Sequence, residues 1–141
     1  MDDIFKYEKR YHYPHMKPED KAIWERFIMK YPAAYDTCQY DVNVGSPPPF
    51  DPTVNPATGG EISNLYYRKI DVVGHRGSQV DIIELKPKAG TSALGQVRGY
   101  VTLYKRDVNP AASPRAVLIT NELLPDMEQL AKSMGVTLII V

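Results

Sequence analysis

One stretch decides the fold: residues 65–88 read LYYRKIDVVGHRGSQVDIIELKPK. Leu65 to Val73 is rich in aromatic and β-branched residues, and Val80 to Lys86 is again rich in β-branched residues. A tight turn is predicted between them, at His75-Arg76-Gly77-Ser78. Two short strands joined by a tight turn predict a β-hairpin.

The segments on either side of the hairpin alternate between helix and strand signals. Pro18 opens the first helix in the usual way, with acids close behind it at the positive end of the helix dipole. The other predicted elements are a strand at Cys38 to Val44, a helix at Thr91 to Tyr104 capped by Thr91 or Ser92, a strand at Ala116 to Thr120, a helix from its cap Asn121 to about Met134, and a strand at Val136 to Val141. The order is α-β-β-β-α-β-α-β, which predicts an α/β fold with a mixed sheet flanked by helices on both faces.

With 141 residues, the chain has the usual size of one domain and can bury a core without disulfides. Residues 1–17 show no clear period, and we interpret them as an N-terminal arm that packs on the body or on a partner. Residues 18–141 are then expected to form a single domain. Within it, residues 45–60 hold five prolines and three glycines, which predicts a long loop.

The composition indicates a protein of the cytoplasm, or of the host cytoplasm if the source is a virus. Its one cysteine, Cys38, excludes an internal disulfide framework and a zinc cluster built from the cysteines of one chain. No apolar run approaches the roughly 18 residues of a membrane span, and the acidic start Met1-Asp2-Asp3 is unlike a secretory signal. Net charge is zero, yet eight Lys/Arg stand against three acids between Arg68 and Arg106, which is compatible with one basic face.

The hairpin also carries charges that are difficult to explain by structure alone. A turn centred near Gly77 sets Asp71 almost opposite Ile83 or Glu84, and the sequence does not decide between these registers. If Asp71 and Glu84 lie side by side, a divalent cation relieves both their mutual repulsion and the cost of burying them. Oxygen ligands suit Mg²⁺, with Mn²⁺ able to substitute, and Lys86 would hold the attacking water or offset charge on a phosphoryl oxygen. The alternative is a cross-strand salt-bridge network on a solvated face.

This arrangement resembles the D…(D/E)-x-K signature of the PD-(D/E)XK nuclease superfamily, which includes many restriction endonucleases, Holliday-junction resolvases and phage exonucleases. Asp71 and Glu84-Leu85-Lys86 lie on the hairpin, and the order of elements from Pro18 to Val141 is similar to the restriction-endonuclease-like core. Gln96 and Tyr100 are four apart on one helix face and resemble the Q-x-x-x-Y subset, in which they point toward the active site and the DNA backbone. No proline precedes Asp71 in this chain, and this proline is commonly absent in members of the superfamily.

The resemblance implies a set of site residues. The implied metal ligands are Asp71, Glu84 and the backbone carbonyl of Leu85, and the implied catalytic set adds Lys86, Gln96 and Tyr100. The family often adds an acid from the first helix, reached through metal-bound water. Glu25 is the preferred candidate because it lies deeper in the helix, and Glu19 is the alternative.

Other charged residues have simpler interpretations. Lys88, Arg98 and Lys105 are candidates to contact DNA phosphates, with a solvated helix face as the alternative. Asp81 is expected to be a charge at a strand edge.

The leading hypothesis is a Mg²⁺-dependent deoxyribonuclease that hydrolyses DNA phosphodiester bonds. A small domain without an appended recognition module favours structure-directed or nonspecific cutting, and a homodimer would most easily cut both strands of a duplex. The alternative is a non-catalytic nucleic-acid-binding or assembly protein that retains the nuclease fold. A small scaffold with no nucleic-acid role is a third possibility, which would show no salt-dependent DNA binding.

Overall fold

The computed structural model describes residues 3–46 and 68–141. The elements in these residues are β1 (Phe5–Lys6), α1 (Pro18–Lys30), β2 (Thr37–Val44), β3 (Arg68–Arg76), β4 (Gln79–Ala89), α2 (Thr91–Asp107), β5 (Arg115–Leu123), α3 (Met127–Met134) and β6 (Val136–Ile140). Apart from the short β1, this is the predicted order α-β-β-β-α-β-α-β. From residue 47 onward the predicted loop lies outside the described residues, as do the first three residues of the strand predicted from Leu65.

Six strands of the described residues form one mixed sheet in chain order, β1-β2-β3-β4-β5-β6. Neighbouring strands from β1 to β4 are antiparallel, and the β4–β5 and β5–β6 pairs are parallel. One face packs against α1 through residues such as Trp24 and Phe27, and the other face packs against α2 and α3. The predicted α/β fold with a mixed sheet between helices is confirmed.

β2 and β3 exchange the faces of their side chains at one point. Tyr40 and Val72 pair with each other and belong to the core under α1, whereas the pair Val42 and Ile70 belongs to the core under α2. Strand residues two apart normally share a face, so the exchange requires a distortion between these pairs. Asp41 provides it with a φ of 55°, a left-handed conformation that aspartate tolerates better than most residues.

The third helix begins later than predicted. β5 extends to Leu123 and α3 begins at Met127, so Asn121 lies in a strand and caps no helix. The reason is a long-range pairing, because β4 also runs past its predicted end and Lys88 pairs in parallel with Glu122. Pairing with a neighbouring strand overrides the local capping preference of asparagine.

The start of α2 also differs from the prediction. Its N-cap is Gly90 instead of Thr91 or Ser92, and no side chain caps the helix. A Cβ atom on Gly90 would lie 2.8 Å from Cδ1 of Leu124. Glycine therefore lets the start of α2 pack closely against the side chain of Leu124.

The interpretation of Asp81 as an edge charge is wrong. Asp81 is fully buried on β4, between β3 and β5. The Tyr35 hydroxyl donates to its Oδ2 at 2.6 Å, and Arg115 donates through Nε at 2.8 Å and Nη2 at 2.6 Å. Burial here follows from the central place of β4 in the sheet, which the residues of one strand do not reveal.

The segment before α1 packs on the sheet and on α1. β1 pairs with β2, and the side chains of Tyr7 and Tyr13 are buried. The division of the chain after residue 17 stays a prediction. None of the helices in the described part of the chain combines the length and the apolar character needed to cross a bilayer.

Candidate functional site

The candidate site lies where β3 and β4 separate. Backbone pairing between the two strands ends at Val72 and Ile83. Beyond this pair β3 stays with β2, while β4 continues alongside β5. The same register makes Asp71 and Glu84 the next residues at the mouth of this fork, so of the two predicted registers the structure has the one that sets Asp71 opposite Glu84.

Asp71 takes over a backbone hydrogen bond at the fork. Its Oδ2 accepts a hydrogen bond of 2.9 Å from the backbone nitrogen of Leu85. This bond satisfies a donor in the sheet that the departing β3 backbone no longer pairs. The N–H and C=O of a paired strand residue point to the same neighbour, so the Leu85 carbonyl also faces the fork.

Glu84 is buried beside Asp71 without full compensation. It is only 5% exposed, and its Oε2 has no hydrogen-bond partner among the described residues. Burial, followed by the charge of Asp71, raises the pKa of Glu84 to about 9. Burial also raises the pKa of Asp71, against the lowering effect of the Leu85 hydrogen bond. Two such carboxyl groups are costly to ionise together unless a cation joins them.

Lys86 contributes positive charge to the same place. It lies two residues after Glu84 on β4, and therefore on the same face of the strand. Its ammonium charge lowers the pKa of Asp71 and of Glu84, in both cases opposing the larger effect of burial. The structure thus brings together the three hairpin residues that the sequence singled out.

Asp20, in the first turn of α1, is a residue that the sequence reasoning did not select. Burial, followed by the charge of Asp71, raises the pKa of Asp20 to about 6. Asp20 in turn contributes to the raised pKa of Glu84. Nothing in the sequence distinguishes Asp20 from its neighbour Glu19, because both are acids at the start of a helix. The packing of α1 on the sheet determines that Asp20, and not Glu19, faces the acid pair.

The structure does not bring Glu25 to the acid pair. Its Oε2 accepts a hydrogen bond of 3.1 Å from the Tyr13 hydroxyl, on the side of the N-terminal segment. Five residues along a helix correspond to a rotation of about 140°, so Glu25 and Asp20 lie on different faces of α1. Glu19 is exposed. The preference for Glu25 is therefore not supported by the geometry.

Gln96 and Tyr100 lie on α2 beside the fork. The Nε2 of Gln96 donates a hydrogen bond of 2.7 Å to the Tyr100 hydroxyl oxygen. Burial raises the pKa of Tyr100, and the charges of Glu84 and Asp71 add to the increase, which places the phenol within electrostatic reach of the acid pair. The expected pairing of these two side chains on one helix face is observed.

A cleft of about 500 Å³ opens beside Tyr100. Its lining residues are Arg68, Gly95, Gln96, Gly99, Tyr100, Thr102 and Leu103. A Cβ atom added to Gly95 or Gly99 would meet no described residue within 4 Å, and the absence of side chains at both positions widens the cleft along α2. The cleft gives an extended ligand room to lie along α2.

The three predicted phosphate contacts lie outside this cleft. Lys88 is exposed and its Nζ lies 3.9 Å from Oε1 of Glu122. Arg98 and Lys105 are exposed on α2. The structure does not gather these three side chains with the acid pair.

The described residues offer a small set of oxygen ligands at the fork. Within residues 3–46 and 68–141, no three His, Cys, Asp or Glu side chains are grouped closely enough to hold a metal. Two carboxylates are sufficient for Mg²⁺, which keeps several waters and commonly takes one or two carboxylates from a protein. Asp71, Glu84 with its unpartnered Oε2, and the Leu85 carbonyl fit this requirement.

The sequence matches no protein-family model and no curated protein sequence. Among solved structures, a repair endonuclease from Pyrococcus abyssi is similar with a TM-score of 0.51 and 17% identity, covering 95% of this chain and 49% of that chain. AF1548, a protein of unknown function, has a TM-score of 0.53 and 14% identity, covering 85% of this chain and 56% of that chain. EndoMS in its complex with dsDNA has a TM-score of 0.49 and 17% identity, covering 95% of this chain and 48% of that chain.

The chain therefore spans about half the length of these solved proteins. At these identities the likeness concerns the fold. The similarity to the repair endonuclease is one of mixed α/β architecture. The acid pair and the lysine where β3 and β4 separate are observations on this chain alone.

Proposed function

We propose that this chain is a metal-dependent nuclease that hydrolyses DNA phosphodiester bonds, either at particular DNA structures or without sequence preference. The observation that carries the proposal is the buried Glu84 beside the half-buried Asp71 at the fork, with a Glu84 Oε2 that has no hydrogen-bond partner among the described residues and Lys86 two residues further on. The resemblance to the PD-(D/E)XK signature and its Q-x-x-x-Y subset supports it. So does the similarity in fold to a repair endonuclease.

Asp71, Glu84 and the Leu85 carbonyl would hold Mg²⁺ or Mn²⁺, and the α1 carboxylate of Asp20 would support the ion through its charge without being a direct ligand. When bound, such an ion supplies positive charge that stabilises the phosphoryl oxygens and makes water a better nucleophile. The raised pKa values of the two hairpin acids fit this role, because a cation is what allows both to ionise at neutral pH.

Lys86 is assigned to the reacting phosphate. Negative charge grows on the phosphoryl oxygens during attack by water, and a fixed ammonium group stabilises that charge more than it stabilises the ground state. Lys86 shares a face of β4 with Glu84, which supports this assignment. Lys86 can also orient the attacking water through one of its N–H groups.

Tyr100 and Gln96 are assigned to holding the DNA backbone. Gln96 donates to the Tyr100 oxygen, so the hydroxyl hydrogen of Tyr100 is directed to another acceptor. A phosphate oxygen at the fork would be such an acceptor. Arg68, in the same cleft, would neutralise the next phosphate along the strand, while Lys88, Arg98 and Lys105 would provide more distant electrostatic attraction.

The test is a cleavage assay on single-stranded, duplex, flapped and branched DNA in Mg²⁺, Mn²⁺ and EDTA. Activity should require the metal and should fall by about 100-fold or more in Lys86→Ala and Glu84→Gln, as for other preorganised catalytic charges. Lys132→Ala is the matched control, because Lys132 is exposed on α3, outside the fork. Circular dichroism should show that all the variants fold. Lack of cleavage on every substrate in both metals would refute the proposal.

Calorimetry separates this function from a non-catalytic DNA-binding role. A nuclease should bind Mg²⁺ in the absence of DNA, and the binding should be lost in Glu84→Gln. A protein that only retains the fold should bind DNA without binding Mg²⁺. Light scattering with and without duplex DNA would test the proposed homodimer.

A further inference from the structure

Tyr11 is exposed to an unusual degree for a residue in a fixed segment. It is 99% exposed, whereas Tyr7 and Tyr13 on either side of it are 7% and 2% exposed. The Tyr7 hydroxyl donates to the Tyr31 carbonyl at 2.6 Å, and the Tyr13 hydroxyl bonds to Glu25. The chain is therefore anchored on both sides of a ring that is almost fully exposed among the described residues.

Hydrogen bonds also hold the backbone at Tyr11 itself. The Nζ of Lys21 donates to the Tyr11 carbonyl at 3.0 Å and lies 5.9 Å from the centre of the Tyr11 ring. The backbone nitrogen of Arg10 donates to the Tyr13 hydroxyl at 2.9 Å, and Arg10 Nε donates to the His12 carbonyl at 3.3 Å. A ring presented on a fixed backbone loses little entropy when a flat ligand stacks on it.

The surroundings of Tyr11 are concave and basic. A hollow of about 420 Å³ is lined by Phe5, Glu8, Lys9, Arg10, Tyr11, His12 and Pro14. Between Lys6 and Lys17 there are four Lys/Arg and one acid, and that acid, Glu8, lies 3.7 Å from the Lys6 ammonium. The guanidinium of Arg10 stacks over the Phe5 ring at 4.2 Å. Aromatic and guanidinium planes beside an excess of positive charge are the components of a single-strand nucleic-acid site.

This surface adjoins the candidate active site. Lys21, which holds Tyr11, is the residue after Asp20, and the charge of Lys17 acts on Asp20. His15 lies 3.9 Å from Asp41, whose charge in turn contributes to the pKa of Asp71. The N-terminal segment therefore lies along the α1 side of the fork, opposite the cleft on α2.

We infer that residues 9–12 bind single-stranded DNA, with an unpaired base stacked on Tyr11 and its phosphates beside Lys9 and Arg10. In a duplex the faces of the bases are covered by their neighbours, so an exposed ring can stack only on an unpaired base. The inference deepens the proposed nuclease function and rests on it for the nature of the ligand. It selects substrates with a single strand next to the cut, such as flaps, splayed ends or single strands.

The test measures binding to the full chain in EDTA, with fluorescence anisotropy of a labelled oligo-dT strand and of a labelled blunt-ended duplex. Loss of one base–aromatic stack corresponds to about 5- to 150-fold weaker binding of the single strand. We expect that loss in Tyr11→Ala, little change in Tyr11→Phe, and an unchanged affinity for the blunt-ended duplex in both. Met29→Ala is the control, because Met29 is a large apolar residue that is 69% exposed at the other end of α1.

Equal affinity of Tyr11→Ala and the unmodified chain for oligo-dT would overturn the inference, as would an equal loss for oligo-dT and duplex. Because binding is measured without metal, its result is independent of cleavage. A chain that cuts DNA with no effect of Tyr11→Ala refutes only the role of Tyr11. A chain that loses oligo-dT binding in Tyr11→Ala but cuts nothing refutes only the nuclease function.

Discussion

The Oδ2 of Asp71 lies 2.9 Å from the backbone nitrogen of Leu85, at the point where β3 leaves β4. One carboxylate thus closes the last hydrogen bond between the two strands and forms half of the acid pair with Glu84. Its structural task requires an acceptor oxygen, while its electrostatic task requires a negative charge. Substitutions can separate these two requirements.

Asp71→Asn should keep the fold stable and abolish metal binding, because the amide oxygen still accepts the Leu85 hydrogen bond but carries no charge. Asp71→Ala should lose both, since it leaves a buried backbone donor unpaired at a cost of about 1–3 kcal/mol. Urea unfolding measures the stability of the two variants, and calorimetric titration measures Mg²⁺ binding. Equal destabilisation by Asn and Ala would contradict a structural role for the hydrogen bond.

Glu84 should make the metal-free protein less stable as pH rises. In the unfolded chain a glutamate ionises near its ordinary pKa of 4.5, but in the fold the pKa is raised to about 9. Between these values the folded state binds more protons than the unfolded state, so the free energy of unfolding falls with pH. The expected decrease in Tm between pH 5 and 8.5 is at most about 5 °C per pH unit in EDTA.

Glu84→Gln should reduce this slope, and Mg²⁺ should raise the Tm of the unmodified protein most at high pH, where the carboxylates would otherwise repel. Glu122→Gln is the matched control because Glu122 is exposed on β5. Parallel Tm curves for the unmodified protein and Glu84→Gln would show that Glu84 ionises normally. Differential scanning fluorimetry is sufficient for the measurement.

The first helix offers a direct choice between two carboxylates. Asp20→Asn should weaken Mg²⁺ binding about 10-fold, the scale seen when a residue that supports metal ligands is changed. Glu25→Gln keeps an acceptor for the Tyr13 hydroxyl and should leave the affinity within about twofold of its original value. A larger effect at Glu25 than at Asp20 would mean that α1 presents a different face to the fork.

Asp41 holds a left-handed backbone in the middle of a strand, and a pair of variants can measure its cost. Asp41→Gly and Asp41→Ala both remove the carboxylate that lies 3.4 Å from Lys69 and 3.9 Å from His15. They differ in that glycine adopts the φ of 55° without strain. The free energy of unfolding of the alanine variant should therefore be about 1 kcal/mol lower than that of the glycine variant. Equal stabilities would indicate that β2 relaxes to an ordinary strand.

The buried carboxylate of Asp81 should make Arg115 important for stability. Arg115→Met leaves Asp81 with only the hydrogen bonds from Tyr35 and Gln79. The side chain of Arg115 is 56% exposed, so the expected loss is about 2 kcal/mol, less than for a fully buried pair. Arg76→Met, at the exposed end of β3, should change the free energy of unfolding by less than about 0.5 kcal/mol. Urea unfolding of the two variants makes the comparison.

Local patterns were sufficient to predict the order of the secondary-structure elements and the hairpin. They were also sufficient to single out Asp71, Glu84 and Lys86 on that hairpin. The β-branched residues of β3 and β4 and the turn residues near Gly77 are local properties, and so is the four-residue spacing of Gln96 and Tyr100. The boundary between β5 and α3 was wrong because the pairing of Glu122 with Lys88 joins distant parts of the chain. Capping preferences act within a few residues and could not anticipate that pairing.

Of the residues at the candidate site, Asp71 and Glu84 on the strands could be predicted from the sequence, whereas Asp20 on α1 could not. A turn near Gly77 leaves two registers for the hairpin, so Asp71 and Glu84 could be proposed as a pair, but only the observed pairing of Val72 with Ile83 chooses between the registers. Asp20 joins them only because α1 packs on the sheet with one particular face, and two adjacent acids in a first turn look alike in a sequence. The burial of Asp81 likewise depends on which strands lie on either side of β4.

The strict chain order of the six strands has a consequence for how the protein folds. Each strand pairs with the one that precedes it in the chain, so the sheet can grow by adding successive elements and no strand has to insert between two others. The β3–β4 hairpin closes through a local turn, and short loops close much faster than distant contacts form. Asp71 and Glu84 should therefore meet early in folding, before any of the three helices has docked. A cation present at that stage would be bound by a nascent hairpin, and folding in Mg²⁺ should then be faster than in EDTA.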